Sequence, residues 1–236
     1  MIEVEWWEFE TAREMAEQVA GDISFVIESA IEAHGGARLA IPGGSTPDLV
    51  YKALLKQGVD WPNVTLIPTD DRLVGAGDPL SNFGRIKAVF GPKGATVVQL
   101  VEDANLGDYR EAGRLADEKL SALAWPLDLV CLGMADDGHT ASIMSGPDLD
   151  RALAGPRGRR AIGVHPYPMP TTAPVDRVTL TLDAFASART VMVIVRGDDK
   201  RALLESAINE GPLSSKPIGR VLAGIEADVD IFWSPD

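Results

Sequence analysis

The sequence predicts an α/β fold built on a mostly parallel sheet with helices on both faces. Segments typical of strands and of helices alternate along most of the chain, which is the pattern that a parallel sheet requires. Several strand-like segments, such as Ala37–Ile41 and Val64–Pro68, are short and mainly apolar, as expected of strands buried on both faces. With 236 residues, 45% of them hydrophobic, the chain can bury a substantial core. We therefore expect a three-layer, Rossmann-like architecture in one domain that spans residues 1–236.

In the first part of the chain, apolar spacing and turn residues define four strands and three helices. Thr11–Ala33 is predicted as a helix because Met15, Val19 and other apolar residues recur at helical spacing. A second helix is expected to begin at Pro47, which suits a first helical position, with Thr46 as its N-cap. The third helix shows the same apolar spacing as the first. The predicted strands are Ile2–Phe9, Ala37–Ile41, Val64–Pro68 and Thr96–Leu100, and the predicted helices are Thr11–Ala33, Pro47–Lys56 and Leu106–Leu123.

The second part of the chain continues the alternation after one irregular segment. Leu127–Met134 is predicted as a buried strand because it is a short apolar run that ends at a polar loop. Ser145–Pro174 is rich in Gly, Pro and Arg, and we interpret it as long loops or a small excursion near 145–175. The remaining predicted elements are the strands Arg177–Leu182, Thr190–Arg196 and Val229–Trp233 and the helix Lys200–Ile208.

The excess of acidic residues limits the partners that this chain can have. The sequence has 22 Lys and Arg against 35 Asp and Glu, which gives a net charge of −13. This balance argues against nucleic acid and anionic membrane surfaces as partners, although a few converging cations can still bind a small anion. Cys131 is the only cysteine and lies in an apolar run, so we expect a core residue and no disulfide framework. The sequence shows neither a signal peptide nor a membrane-length apolar run, so we expect a soluble, cytoplasmic protein; its oligomeric state stays open.

A glycine-rich loop follows the second predicted strand, at Ile41–Pro47. Gly43 and Gly44 allow the backbone to approach a ligand closely, and the start of the next helix, near Ser45 and Thr46, offers unpaired N–H groups to an anion. The loop lacks the Gly-Lys-Ser/Thr of a Walker A motif and the G-x-G-x-x-G fingerprint of dinucleotide sites. A phosphate site is the functional interpretation, and a tight capped turn is the alternative.

Two charged loops also follow predicted strands. Asp70, Asp71 and Arg72 are consecutive: the guanidinium can bind a phosphate with two hydrogen bonds, and the carboxylates can hold sugar hydroxyls or orient the guanidinium. Lys200 opens a predicted helix after the Thr190–Arg196 strand. A lysine there opposes the helix dipole, and a bound anion would offset that cost. Charges exposed to solvent are the alternative interpretation of both loops.

The most informative loop follows the Leu127–Met134 strand and contains Asp136, Asp137, Gly138 and His139. In open α/β sheets, ligands bind in the crevice beyond the carboxyl ends of the strands. A histidine in such a loop can reach solvent and substrate, and histidine titrates near neutrality. His139 is therefore a candidate catalytic residue, and a polar turn that only caps the next helix is the alternative.

Together and in this order, these loops resemble the 6-phosphogluconolactonase family, within the larger group that includes glucosamine-6-phosphate isomerase. The matching motifs are GGSTP at Gly43–Pro47, DDR at Asp70–Arg72, DLVCLGMADDGHTAS at Asp128–Ser142, RVTLTLDAF at Arg177–Phe185 and the Gly197-x-x-Lys200 loop. The resemblance covers nearly the whole chain. There are departures: the family usually has Glu where this chain has Asp71, Gly where it has Ala135, and Phe-Pro-Gly where it has Met-Ser-Gly at 144–146.

The resemblance implies hydrolysis of 6-phospho-D-glucono-1,5-lactone to 6-phosphogluconate, the second step of the oxidative pentose phosphate route. In that reaction His139 is expected to be the base that activates water, and Asp137 is expected to orient it or to bind a sugar hydroxyl. The predicted substrate and phosphate ligands are Gly43, Gly44, Ser45, Thr46, Asp71, Arg72 and Lys200. We expect no cofactor and no metal, because an activated lactone needs only a positioned base and the three histidines show no metal-ligand spacing.

Two other functions remain as alternatives. The isomerase and deaminase branch of the same fold has a carboxylate a few residues after the histidine, in the pattern D-G-H-I-A-F-N-E, whereas Thr140–Met144 contains none. A non-catalytic sugar-phosphate sensor, such as the effector domain of a regulator, would normally carry a basic helix-turn-helix segment. This acidic chain shows no such segment, so both comparisons favour lactone hydrolysis.

Overall fold

Ten strands and eight α-helices occur in the residues that the structure, a computed structural model, describes, namely 3–102 and 107–235. The strands are β1 (Val4–Glu8), β2 (Ala37–Ile41), β3 (Val64–Pro68), β4 (Asp70–Arg72), β5 (Thr96–Val97), β6 (Leu129–Gly133), β7 (Ala161–Val164), β8 (Arg177–Leu180), β9 (Val191–Arg196) and β10 (Val229–Ser234). The helices are α1 (Ala12–His34), α2 (Ser45–Leu54), α3 (Asn82–Phe90), α4 (Tyr109–Ser121), α5 (Leu149–Leu153), α6 (Leu182–Ala186), α7 (Asp198–Glu210) and α8 (Pro217–Ala223). The predicted boundaries at Ile2 and Leu106 lie outside the described residues.

Seven strands form one parallel sheet in the order β1-β10-β9-β6-β2-β3-β5. This confirms the predicted α/β class and the mostly parallel sheet. From β2 the chain continues outward to β3 and β5 on one side, and then through β6, β9 and β10 on the other. The neighbours β2 and β6 therefore form a topological switch point, where loops diverge at the carboxyl ends of the strands and leave a crevice. The glycine-rich loop follows β2 and the His139 loop follows β6, so the topology places both at this crevice.

The parallel sheet is buried on both faces, and the side chains of β6 alternate between the two cores. Leu129 and Cys131 pack in the core covered by α1, α2 and α3, whereas Val130 and Leu132 pack in the core covered by α4, α6, α7 and α8. This alternation is the period-two geometry of a strand. Cys131 is a free thiol that is 2% exposed, and burial raises its pKa to about 12, as expected of a core residue.

A second sheet, antiparallel and three-stranded, has the order β4-β8-β7. The prediction that Arg177–Leu182 adds to the parallel sheet is wrong. This strand ends at Leu180 and pairs with β4 and β7, because Thr181 ends it by capping α6, its Oγ1 accepting a hydrogen bond from the backbone N–H of Ala184. Asp70–Arg72, predicted as a loop, forms the edge strand β4, and the 145–174 segment contains α5 and β7 as well as loops.

Two helices that open at the carboxyl edge start earlier than predicted. α2 begins at Ser45 with Gly44 as its N-cap, so Thr46 is not the N-cap. α7 begins at Asp198, which leaves Lys200 in its first turn. Four other helices, α3, α5, α6 and α8, were not predicted, and α3 and α8 contribute to the site described below.

None of the helices in the described ranges is both long enough and apolar enough to cross a bilayer. Within the same ranges, no group of three or more His, Cys, Asp or Glu side chains is placed to hold a metal ion.

Candidate active site

A cavity of about 240 Å³ lies at the switch point, beyond the carboxyl ends of β2, β6 and β9. The predicted site residues that line it are Gly43, Gly44, Ser45, Thr46, Arg72, His139 and Lys200. Asp70, whose carboxylate was considered as a holder of sugar hydroxyls, lines it as well, and so do three polar residues that the sequence did not assign: Asn82, Arg177 and Arg196. The four predicted loops therefore meet at one place. Asp137 and Asp71 do not line the cavity. Asp137 contacts His139, and Asp71 contacts the start of α3.

Asp137 is hydrogen-bonded to His139 and holds the imidazole in place. One carboxylate oxygen, Oδ1, lies 2.7 Å from Nδ1 of His139 and also accepts the backbone N–H of His139 at 3.1 Å. The hydrogen bond from His139 lowers the pKa of the Asp137 carboxyl to about 2, so Asp137 is ionised at neutral pH. An ionised carboxylate accepts a hydrogen bond from Nδ1–H, which leaves the lone pair of a neutral imidazole on Nε2. The pair therefore presents a base at the cavity.

The turn that carries His139 is fixed by backbone contacts to its neighbours. Gly138 has φ of 85°, a left-handed conformation that favours glycine, and a Cβ there would lie 2.9 Å from the Lys216 side chain. The carbonyl of Gly138 accepts a hydrogen bond from Ile218 N–H at 3.0 Å, in the first turn of α8. Across the turn, the carbonyl of His139 accepts a hydrogen bond from Ala135 N–H at 3.0 Å. The unpredicted helix α8 therefore helps to position the histidine.

The start of α2 faces the cavity with its backbone N–H groups. Its N-cap is Gly44, which has no side chain to accept a hydrogen bond from the first turn. Ser45 and Thr46, the first two residues of the helix, both line the cavity. Uncapped N–H groups together with the positive end of the helix dipole favour an anion such as a phosphate.

Asn82, at the start of α3, links the glycine loop to Arg72. Its Oδ1 accepts a hydrogen bond from Nη1 of Arg72 at 2.6 Å, and its Nδ2 donates to the Asp70 carbonyl at 2.9 Å. The Asn82 side chain packs directly against the backbone of Gly43, where a Cβ would overlap the amide oxygen. Gly43 is therefore required for this close approach, and the Asn82 side chain holds the glycine-rich loop in place.

Gly43→Ala is expected to destabilise the protein, because the new methyl group must displace the buried Asn82 side chain. Overpacking of this kind costs about 1–3 kcal/mol of the free energy of unfolding, which urea denaturation would measure. Gly21→Ala is the matched control. Gly21 lies inside α1, and a Cβ there would meet no neighbouring atom within 4 Å, so alanine should raise stability by about 1 kcal/mol through helix propensity. Equal stability of Gly43→Ala and the parent protein would contradict the role given to Gly43.

Asp71 was predicted to bind substrate, but the structure places it against the start of α3 instead. It is 1% exposed, and its two oxygens accept the backbone N–H groups of Asn82 (2.7 Å) and Phe83 (3.1 Å). Burial raises the pKa of its carboxyl to about 6, while the donors from Asn82 and Phe83 act in the opposite direction. Because β4 alternates its side chains, Asp71 points into the protein and its neighbours Asp70 and Arg72 point into the cavity.

Four cations line the cavity: Arg72, Arg177, Arg196 and Lys200. Lys200 is paired with Asp136, with Nζ 3.2 Å from Oδ1. The three arginines have no carboxylate within 4.0 Å among the described residues, and each has a buried Nε without a hydrogen-bond partner there. Buried charges are normally paired, so this arrangement favours an anionic ligand. Arg196 ends β9 beside the predicted Lys200 loop, so the strand-end argument that identified Lys200 would also have identified Arg196.

Comparison with known proteins identifies the family. The family model described as glucosamine-6-phosphate isomerases/6-phosphogluconolactonase matches residues 10–233. A 6-phosphogluconolactonase of Mesorhizobium japonicum is 35% identical over 234 residues, which cover 98% of this chain and 95% of the relative. A 6-phosphogluconolactonase of Neisseria meningitidis serogroup A is 31% identical over 97% of this chain and 98% of the relative. The crystal structure of a 6-phosphogluconolactonase from Shewanella baltica matches with a TM-score of 0.89 and 29% identity, over 98% of both chains.

The family match over nearly the whole chain agrees with the order of the motifs and with the cavity that they form. This chain therefore belongs to the glucosamine-6-phosphate isomerase/6-phosphogluconolactonase family.

Proposed function

We propose that this chain hydrolyses 6-phospho-D-glucono-1,5-lactone to 6-phospho-D-gluconate, the second step of the oxidative pentose phosphate pathway. The observation that carries the proposal is the pairing of a base with a cationic cavity: His139, held by ionised Asp137, faces a space lined by four cations. The substrate class follows from the two halves of this site. The cations suit a phosphorylated substrate, and a positioned base with water suffices for an activated ester such as a δ-lactone.

In the proposed reaction, His139 acts first as a base and then as an acid. Nε2 takes a proton from a water molecule as its oxygen attacks C1 of the lactone, and the ring becomes an imidazolium that Asp137 stabilises through Nδ1. When the bond between C1 and the ring oxygen breaks, the imidazolium returns the proton to that oxygen. The products are a carboxylic acid and a hydroxyl group, and the enzyme returns to its starting state.

The 6-phosphate is assigned to the end of the cavity formed by α2 and α7. Ser45 and Thr46, with their uncapped N–H groups, line this end together with Lys200. Arg72, which lines the same cavity, is a further expected phosphate ligand. Each interaction pairs a charged donor or a helix terminus with phosphate oxygens, so the site should discriminate strongly against unphosphorylated sugars.

The isomerase and deaminase branch is less well supported by the cavity. The segment Thr140–Met144 supplies no carboxylate, and four of its five residues are buried. Asp70 is a carboxylate in the lining, but Oδ2 accepts the Ser142 hydroxyl at 2.7 Å and Oδ1 accepts Nδ2 of Asn82 at 3.1 Å. Both oxygens of Asp70 therefore already accept hydrogen bonds from protein side chains.

A coupled assay tests the proposal. Glucose-6-phosphate dehydrogenase generates the lactone, and 6-phosphogluconate dehydrogenase reports the acid as it forms, with and without this protein. We expect the second dehydrogenase to proceed without the lag that spontaneous hydrolysis imposes, and glucosamine 6-phosphate to release no ammonia. An unchanged lag would contradict lactone hydrolysis, and ammonia release would move the assignment to the isomerase branch.

The value of kcat/KM should fall towards acid pH, because a protonated imidazole cannot accept a proton from water. Asp137 should add no second step there, because its carboxyl pKa is lowered to about 2 and it stays ionised. Initial rates, corrected for spontaneous hydrolysis, provide the profile. A rate that stays flat down to about pH 5 would indicate a carboxylate base instead.

A further inference from the structure

We propose that Arg177 binds the carbonyl oxygen of the lactone and stabilises the negative charge that this oxygen acquires when water attacks C1. The inference rests on the proposed lactone hydrolysis and adds a catalytic residue to it. Arg177 opens β8, lines the cavity and is 4% exposed. It was not among the predicted site residues.

The Arg177 side chain lies next to the loop that carries His139. Its Nη1 is 3.4 Å from Oγ of Ser142, three residues beyond His139, and the same hydroxyl donates to Asp70. The charges of Asp70 and Asp137 both act on the guanidinium. Arg177 therefore contacts the segment that follows His139, and both residues line the same cavity.

Two of the other cations, Arg196 and Lys200, lie at the phosphate end of the cavity. Arg196 and Lys200 share a wall with a neighbouring outer cleft, and Ser45 and Thr46 of the α2 N-terminus belong to the same wall. Arg177 is not part of that wall. In the substrate, the phosphate on C6 and the carbonyl at C1 lie on opposite sides of the ring oxygen. A phosphate held at the α2 end therefore directs the carbonyl away from Arg196 and Lys200, towards the end where Arg177 and His139 lie.

Arg177 also has unused hydrogen-bonding capacity. Arg72, its direct partner in the β4–β8 register, donates through Nη1 to the Leu80 carbonyl at 3.1 Å and to Asn82. Within the described residues, the Arg177 side chain makes only the long contact to Ser142, and its buried Nε has no partner. Burial and the charge of Arg72 lower its pKa from the usual arginine range, although a guanidinium stays protonated at neutral pH. It is a preorganised cation that an ion pair does not neutralise, which is the condition for stabilising a transient oxyanion.

The electron and proton transfers balance without any further reactant. The water oxygen forms a bond to C1, its proton goes to Nε2 of His139, and the electron pair of the C=O double bond moves to the carbonyl oxygen. Arg177 donates hydrogen bonds to this alkoxide. The pair then re-forms the double bond as the bond from C1 to the ring oxygen breaks, and the ring oxygen takes the proton from the imidazolium.

The test compares Arg177→Gln and Arg177→Lys on two substrates, 6-phosphogluconolactone and unphosphorylated glucono-1,5-lactone. Loss of an oxyanion donor typically lowers kcat by about 10²–10³-fold. For Arg177→Gln we expect a loss of this size in kcat for the phosphorylated lactone with KM nearly unchanged, and the same factor in kcat/KM for the unphosphorylated lactone. Lys200→Ala is the comparison variant. Because it removes a phosphate ligand, it should lower kcat/KM for the phosphorylated lactone and leave kcat/KM for the unphosphorylated lactone unchanged.

Arg177→Lys keeps the charge and covers the case in which Arg177→Gln fails to fold. A compact ammonium cannot reproduce the guanidinium geometry, so we expect at least a tenfold loss on both lactones. The inference is overturned if either folded variant keeps the parent kcat, or if the loss falls on KM and on the phosphorylated lactone alone, which would make Arg177 a phosphate ligand. If the parent protein hydrolyses neither lactone, the proposed function itself has failed, and that outcome is distinct from both.

Discussion

Replacing His139 with alanine is expected to lower kcat for lactone hydrolysis by about 10²–10⁴-fold, the range that one positioned base contributes. The side chain lies at the cavity and its Nδ1 is occupied by Asp137, so Nε2 is the group that remains to act on water. KM should change much less than kcat, because no phosphate contact is removed. Initial rates in the coupled assay give both constants, and circular dichroism shows whether the variant is folded.

His165→Ala is the matched control for this experiment. His165 also pairs with a carboxylate, its Nδ1 lying 2.6 Å from Oδ1 of Asp176, but its side chain is 47% exposed and does not line the cavity. Its removal should leave kcat unchanged. Turnover close to that of the parent by a folded His139→Ala variant would remove His139 from the mechanism, and equal losses in both variants would point to a non-specific effect.

Selectivity for the phosphorylated lactone should fall sharply when either of the two expected phosphate-binding cations, Arg72 or Lys200, is removed. Arg72→Ala and Lys200→Ala each delete a charge-assisted contact worth roughly 1.5–3 kcal/mol. This corresponds to a loss of about 10- to 150-fold in kcat/KM for 6-phosphogluconolactone. The unphosphorylated lactone makes no such contact, so its already low kcat/KM should hardly change. Steady-state rates on the two lactones measure the selectivity directly.

Lys93→Ala controls for the removal of a positive charge from any part of the surface. Lys93 is exposed and does not line the cavity, so its loss should leave the selectivity intact. If the parent protein hydrolyses both lactones equally well, the assignment of the phosphate end is wrong. If Lys93→Ala reduces selectivity as much as Lys200→Ala does, the effect comes from long-range electrostatics and not from a bound phosphate.

The strands of the parallel sheet were predictable because a strand that is buried on both faces appears in the sequence as a short run of apolar residues. β6 is an unbroken apolar run, since its side chains fill one core and then the other. The loops that follow such strands were predictable for the same reason: parallel strands bring their carboxyl ends to one edge. The meeting of the glycine-rich loop and the His139 loop at the cavity could therefore be predicted without knowing any tertiary contact.

The antiparallel sheet could not be predicted in this way, because its strands are short and pair across long stretches of chain. β4 consists of three charged residues, which carry no apolar pattern. Arg177 opens a strand, and strand-end reasoning places such a residue at the far edge of a parallel sheet. It reaches the cavity because β8 runs antiparallel to β4, so that Arg177 lies opposite Arg72.

The charge of Asp71 did not indicate its role in the structure. Three consecutive charged residues suggested a substrate-binding loop, but the two-residue period of β4 sends the middle one inward. There its oxygens accept backbone N–H groups at the start of α3, a helix that the sequence did not predict because its first turn contains Gly84 and it spans only nine residues.

Hydrolysis of a sugar-phosphate lactone in this cavity, with His139 as the base, can be followed by NMR on the reacting carbon. A lactone labelled with ¹³C at C1 would be followed in buffer, with the parent protein and with His139→Ala. We expect the C1 lactone signal to convert to the carboxylate signal at the spontaneous rate in buffer, far faster with the parent protein, and near the spontaneous rate with the variant. The same lactone lifetime in all three samples would show that the protein does not hydrolyse the lactone.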